Sequence, residues 1–153
     1  VAITSTAAKQ VGSTEGMQRT ADTSPYQSAW IDTQEADLGA ARDAIRARDF
    51  DALARISEYS CLKMHALALA AQPGLLYWNG ATVECMHRVR LLRQQGVPVF
   101  FTVDAGPQLK AVCAPSAIEQ VKAALRDVHG VLDVLDTGLG EGARAIAAEL
   151  MKA

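Results

Sequence analysis

A chain of 153 residues, half of them hydrophobic, suits one domain with a real core. Its formal charge is −2 with acids and bases interleaved, which argues against a nucleic-acid groove, since that would need a basic patch or stripe. Apolar stretches such as Ala66–Ala71 and Val97–Phe101 fall short of the roughly 20 residues that span a bilayer, and Val1–Thr6 lacks the basic flank and apolar core of a signal peptide.

The chain opens without a methionine in a β-branched segment, Val1–Thr6, that reads as a strand, so it is expected to be one half of something larger. Ala7–Gly16 is small and polar and reads as a loop. Ser24-Pro25-Tyr26-Gln27 is a helix start, with Ser24 able to cap, Pro25 preset for the first helical position and Gln27 completing a capping box. That helix carries Trp30, Leu38, Ala41 and Ile45 on one face and ends near Arg48. A second helix shows Leu53, Ile56, Ser60, Met64 and Leu67 at helical spacing and closes at Pro73-Gly74. Thr82–Gln95 is a third, with Val83, Met86, Val89 and Leu92 repeating and Gly96 as its stop. The period then changes from 3.6 to 2. Val97, Val99, Phe101 and Val103 alternate along a strand, Asp104–Pro107 punctuates it, and Leu109–Cys113 completes a hairpin. A fourth helix over Pro115–Val128, a strand at Val131–Leu135 and a last helix with Ala143, Ile146, Ala147 and Leu150 finish the chain. The order implies an α+β fold with helices packed against an antiparallel sheet.

Two segments could carry chemistry. Asp104 sits where a hydrophobic strand meets an Ala-Gly-Pro turn. An aspartate there can simply start the turn by bonding its own backbone. It can also be a partly desolvated carboxylate on a rigid element, placed to act as a base or to orient a hydroxyl. The small residues after it, Ala105 and Gly106, leave room for a ligand. In Gly12-Ser13-Thr14-Glu15-Gly16-Met17, two hydroxyls between glycines suit phosphate oxygens, although the run matches neither a Walker loop nor a dinucleotide fingerprint and taken alone reads as a helix cap and loop. His65, His87 and His129 are too scattered to form a metal set and take structural or surface roles. Arg88, Arg90 and Arg93 read as a solvated face. Cys61, Cys85 and Cys113 contain no CxxC pair and read as small buried hydrophobes of a reduced, cytoplasmic protein.

Read together, these segments resemble the mevalonate diphosphate decarboxylase family. The resemblance rests on Val11–Gln18 with Thr23-Ser24-Pro25, and on Phe101-Thr102-Val103-Asp104-Ala105-Gly106-Pro107 some 90 residues later. Arg48-Asp49-Phe50, Met64-His65-Ala66 and Leu76-Tyr77-Trp78-Asn79 fall between them in matching order, and the likeness fades only after about Val128. The family belongs to the galactokinase, homoserine kinase, mevalonate kinase and phosphomevalonate kinase superfamily, whose two lobes enclose the active site. The resemblance therefore implies a C-terminal lobe of ferredoxin-like architecture, with residues 1–22 as the end of the N-terminal lobe and a connecting substrate loop, and 23–153 as the C-terminal lobe. It implies an ATP-dependent carboxy-lyase that converts mevalonate 5-diphosphate to isopentenyl diphosphate, ADP, phosphate and CO2 in isoprenoid biosynthesis.

By the same resemblance Asp104 contacts the 3-hydroxyl, either as base or as orienting group. Ser13 and Thr14 lie near the substrate and its phosphates, Met17 lines the pocket, and Ala105 and Gly106 border it. Some bacterial relatives carry arginine where Thr14 stands, so the loop's positive charge differs here. ATP and Mg2+ are expected in the complete enzyme. The ATP loop and the family's lysine and substrate arginine are expected upstream of Val1, leaving no cofactor or metal site in this chain. The expected partners are the small-molecule substrate and an N-terminal lobe, with a homodimer left open and neither nucleic acid nor membrane. The chain alone is expected to be inactive, with its first strand seeking a partner at a free sheet edge. Alternatives are a phosphomevalonate decarboxylase, a mevalonate 3-kinase relative (disfavoured because those kinases lack the aspartate matched by Asp104), or a non-catalytic ligand-binding domain.

Overall fold

The structure, a computed structural model, describes residues 1–142. The helix expected around Ala143–Leu150 lies outside the described residues. Four strands, β1 (Ala2–Ile3), β2 (Val99–Val103), β3 (Leu109–Cys113) and β4 (Asp133–Val134), form one antiparallel sheet in the order β2-β3-β1-β4. Among the described residues five helices accompany it: α1 (Ser13–Thr23), α2 (Gln27–Ala47), α3 (Phe50–Leu69), α4 (Gly80–Gln94) and α5 (Ile118–Arg126), the last preceded by a 3-10 turn at Pro115–Ala117.

The β2–β3 hairpin follows the alternation in the sequence. Val99, Phe101 and Val103 project into the core with Leu109, and the register pairs Val103 with Leu109 and Val99 with Cys113. Met86, Val89 and Leu92 of α4, with Val121 and Leu125 of α5, cover that face. Phe100 points the other way and is buried against Phe50 at the start of α3, ring centroids 5.4 Å apart. Gly96 ends α4 at φ +86° and Gly130 follows α5 at φ +89°, backbone conformations that glycine adopts without the steric cost other residues meet.

Several expectations are corrected. Val1–Thr6 contributes only Ala2–Ile3 to the sheet, and β1 lies between β3 and β4. It therefore has no free edge to offer another lobe. Residues from Ser13 onward are helical, so Ala7–Gly16 is a loop only in its first part. Ser24 ends α1 rather than capping α2: its N–H donates to the Thr20 carbonyl at 3.0 Å, and Tyr26 precedes α2 without a side-chain cap. The physical reason is Pro25, which cannot continue α1 and so separates two helices where one start was expected. On α2, Leu38 and Ile45 are 46% and 62% exposed, and only Ala44 is buried, because α3 covers a neighbouring flank through Lys63, which bonds Thr33 and Asp37. On α3 the expected stripe is only half-buried for most of its length. The deepest positions are Ala54, Glu58, Cys61, His65, Leu67 and Ala68.

Arg93 is not on a solvated face. It makes two bonds, 2.6 and 3.0 Å, to the buried carboxylate of Glu58, whose Oε1 also accepts the Phe101 N–H at 3.3 Å. His65 is buried, whereas His87 and His129 are exposed.

Candidate active site

β2 is an edge strand of the sheet, so the outward N–H groups of Phe101 and Val103 and the Val103 C=O have no strand to bond. Side chains of α3, one and two turns apart, satisfy them. Glu58 takes the Phe101 N–H, Cys61 Sγ takes the Val103 N–H at 3.2 Å, and His65 Nε2 donates to the Val103 carbonyl at 2.9 Å. Asp104 is the next residue. The end of the strand is thus held where the chain turns out of the core.

Beyond it the Gly106 N–H donates to the Asp104 carbonyl at 2.7 Å, closing the turn. The Pro107 carbonyl accepts from Thr4 Oγ1 at 2.8 Å and from the fully buried Thr82 Oγ1 at 2.7 Å. Asn79 accepts the Thr82 N–H in a capping box at the start of α4 and donates to the Thr4 carbonyl at 3.0 Å. Gln108 bonds Ser5 and Thr4 on the other side. The turn that carries Asp104 is fixed to β1 and α4 as well as to α3.

The Asp104 carboxylate is not desolvated, contrary to expectation. Its side chain is 77% exposed, and its Oδ2 accepts from Lys110 Nζ at 2.5 Å. Its rigidity comes from the backbone and from Lys110, not from burial.

Ser13 and Thr14 occupy the first turn of α1, where Gly12 precedes the helix in extended conformation and no side chain caps it. The first N–H groups of the helix are therefore available beside two exposed hydroxyls, an arrangement suited to a phosphate. Lys9 connects this end to the Asp104 turn. Its Nζ lies 3.4 Å from Ser13 Oγ, and a Cβ placed on Gly106 would stand 3.7 Å from its Cε. Sequence reading missed Lys9, because an isolated lysine in a polar loop carries no motif. Its contacts show that Gly106, with the turn carrying Asp104, and Ser13 come together. Met17 lies one turn further along α1, half exposed, and Ala105 is half-buried in the turn.

Gly16 seats α1. A Cβ there would meet the Tyr77 hydroxyl at 2.1 Å, so the helix approaches Tyr77 only because that side chain is absent. Tyr77 and Trp78 pack in turn on His65, at centroid distances of 6.3 and 4.5 Å. Burial holds the His65 imidazole below its ordinary pKa and pushes the Cys61 thiol up, so both face Val103 as neutral groups at pH 7. A groove of about 400 Å³ between α2, α3 and β2 is bordered by Trp30, Met64, Cys61, Thr102 and Asp104, and its lining includes neither Lys9 nor Ser13.

Among the described residues no three His, Cys, Asp or Glu side chains cluster to hold a metal ion. The donors gathered here (one carboxylate, two hydroxyls, two ammonium groups and a helix N-terminus) suit an anionic, hydroxyl-bearing molecule and do not of themselves make a nucleotide or Mg2+ site. No described helix is long and apolar enough to cross a membrane.

A diphosphomevalonate decarboxylase of Ganoderma lucidum is 38% identical over 106 residues, covering 65% of this chain and 26% of that protein. A phosphomevalonate decarboxylase of Haloferax volcanii is 31% identical over 121 residues, covering 77% and 36%. A solved structure of MDDEF in complex with MVAPP, AMPPCP and magnesium superposes with a TM-score of 0.75 at 38% identity, covering 78% of this chain and 37% of that one. The chain thus spans about a quarter to two fifths of the length of the relatives it matches. The model of the mevalonate 5-diphosphate decarboxylase C-terminal domain matches residues 1–146, and the chain belongs to that family.

Proposed function

We propose that this domain supplies the substrate-orienting half of an ATP-dependent decarboxylase, a lyase that converts mevalonate 5-diphosphate to isopentenyl diphosphate, ADP, phosphate and CO2. The observation that supports it most is Asp104, an exposed carboxylate on a strand end held by α3, β1 and α4, within one small region of Lys9 and Ser13. A tertiary alcohol is a poor nucleophile, so its attack on a γ-phosphate depends on orientation and on acceptance of its proton. With Oδ2 engaged by Lys110, Oδ1 is the oxygen left to accept the 3-hydroxyl. Ser13, Thr14 and the N-terminus of α1 would bind phosphate oxygens, and Lys9 would supply the positive charge that some relatives place at the position of Thr14. Met17, Ala105 and Gly106 would border the carbon skeleton. ATP and Mg2+ would be bound with the help of an N-terminal lobe, and on that reading this chain alone does not turn over. Its three free cysteines fit a cytoplasmic setting.

The similarity to the Haloferax volcanii protein supports a second reading, in which the monophosphate is the substrate. One experiment separates the two. The complete enzyme is supplied with Mg-ATP and either mevalonate 5-diphosphate or mevalonate 5-phosphate, and ADP and CO2 are measured. CO2 release with the diphosphate at a far higher kcat/KM is expected. Preference for the monophosphate would transfer the assignment, and ADP formation without CO2 would replace decarboxylase by kinase.

A further inference from the structure

The peptide joining Val103 to Asp104 is gripped by two side chains that take no part in the chemistry proposed above. Cys61 and His65 stand one helical turn apart on α3. The thiol accepts the Val103 N–H at 3.2 Å and donates to the Val103 carbonyl at 3.5 Å, and His65 Nε2 donates to the same carbonyl at 2.9 Å. That carbonyl and the N–H of Asp104 belong to one planar unit. Fixing the oxygen therefore fixes the axis about which Asp104 would swing. The Gly106-to-Asp104 backbone bond then holds the far side of the residue, and Lys110 holds its tip.

His65 is itself immobilised. It is 2% exposed and packs on Trp78 and Tyr77, and the Tyr77 hydroxyl sits against Gly16 of α1. One imidazole thus joins the two segments that carry the candidate site, the Asp104 turn and the helix bearing Ser13.

We propose that His65 is a positioning residue for Asp104, acting with Cys61 through the Val103 peptide. The inference rests on the preceding assignment of Asp104. Buried polar side chains could serve only to satisfy an edge strand. Here, however, the doubly bonded peptide is the one immediately before the carboxylate, and small misplacements of a reacting group cost rate steeply, up to about 10²-fold for 1 Å.

The test is a double-mutant cycle on the complete enzyme, with mevalonate 5-diphosphate and Mg-ATP as substrates. His65→Leu removes the donor while keeping an apolar filling. It should lower kcat about 10- to 10²-fold with KM for both substrates little changed, and His65→Gln, which can still donate, should recover most of that loss. In the Asp104→Ala background the same His65→Leu change should cost less than about 3-fold, because no carboxylate remains to be positioned. If His65→Leu does not fold, His65→Asn serves in its place, since it is polar but too short to reach the carbonyl. Multiplicative losses from His65 and Asp104 would overturn the inference and leave the assignment of Asp104 standing. An unimpaired Asp104→Ala enzyme would overturn both.

Discussion

Replacing Arg93 by alanine should unfold this domain far more readily than an arginine on a helix surface would suggest. In the structure it leaves the Glu58 carboxylate, only 7% exposed, with the Phe101 N–H at 3.3 Å and Arg90 Nε at 3.8 Å as its remaining partners. Removing one member of a fully buried ion pair costs about 3–5 kcal/mol. Arg93 is 34% exposed and Arg90 can move closer, so screening and substitution reduce that figure to about 1–3 kcal/mol. At about 2–4 °C per kcal/mol for a chain of this size, the melting temperature should fall by roughly 2–12 °C. Urea unfolding followed by circular dichroism measures it: the midpoint should drop with the slope unchanged. In a Glu58→Gln background the Arg93→Ala change should become nearly neutral, because a neutral amide still accepts the Phe101 N–H and needs no counter-charge. A cost within about 0.5 kcal/mol in the wild-type background, the usual range for a surface substitution, would refute the reasoning.

Gly16→Ala sets a gain in helix propensity of about 1 kcal/mol against a clash of roughly 1–3 kcal/mol with the Tyr77 hydroxyl, so net destabilisation is expected by chemical denaturation. Tyr77→Phe removes that oxygen, leaving the next atoms at 3.4 Å, and in that background Gly16→Ala should be neutral or stabilising. Because burial lowers the His65 pKa, the unfolded chain takes up a proton near the ordinary value of about 6.5 that the folded chain resists. Its contribution to stability is complete above that pH and is lost as pH falls through the lower folded value. Calorimetry between pH 7 and 5 should therefore show a larger loss for wild type than for His65→Gln, and equal losses would contradict this. Burial pushes Cys85 up to about 11, so in the native protein at pH 8 a thiol reagent followed by mass spectrometry should label the half-buried Cys113 well before Cys85.

The sheet was legible because Val99, Phe101 and Val103 alternate cleanly and the turn after them is punctuated by Asp104–Pro107. The helix end at Gly96 was legible from the glycine itself, which takes a positive φ there; α2 ends at Arg48 as expected, but in a left-handed conformation (φ 54°) that an arginine does not announce. The buried face of α3 was not. Its innermost stripe includes Glu58, Cys61 and His65, and hydrophobic periodicity cannot show that polar residues lie deepest when they are there to satisfy an edge strand. The start of α1 was hidden by Gly12 and Gly16, which lower helix propensity, and the second glycine is there for Tyr77 rather than for a loop. Lys9 and Lys110 were invisible for a different reason. Each matters through a contact with a residue at the site, and spacing along the chain carries no trace of those contacts.

The most direct test of the central claim is the turnover of the complete enzyme carrying Asp104→Asn. Asparagine keeps the shape of the side chain, while it removes the charge and replaces one acceptor oxygen by an NH2 group. A positioned carboxylate contributes roughly 10²–10⁴-fold in such a step. Single-turnover and steady-state release of CO2 from mevalonate 5-diphosphate should therefore slow by at least about 10²-fold, with the melting temperature and ATP affinity little changed. A variant that keeps kcat within a few-fold of wild type would return Asp104 to the role of a turn residue held by Lys110.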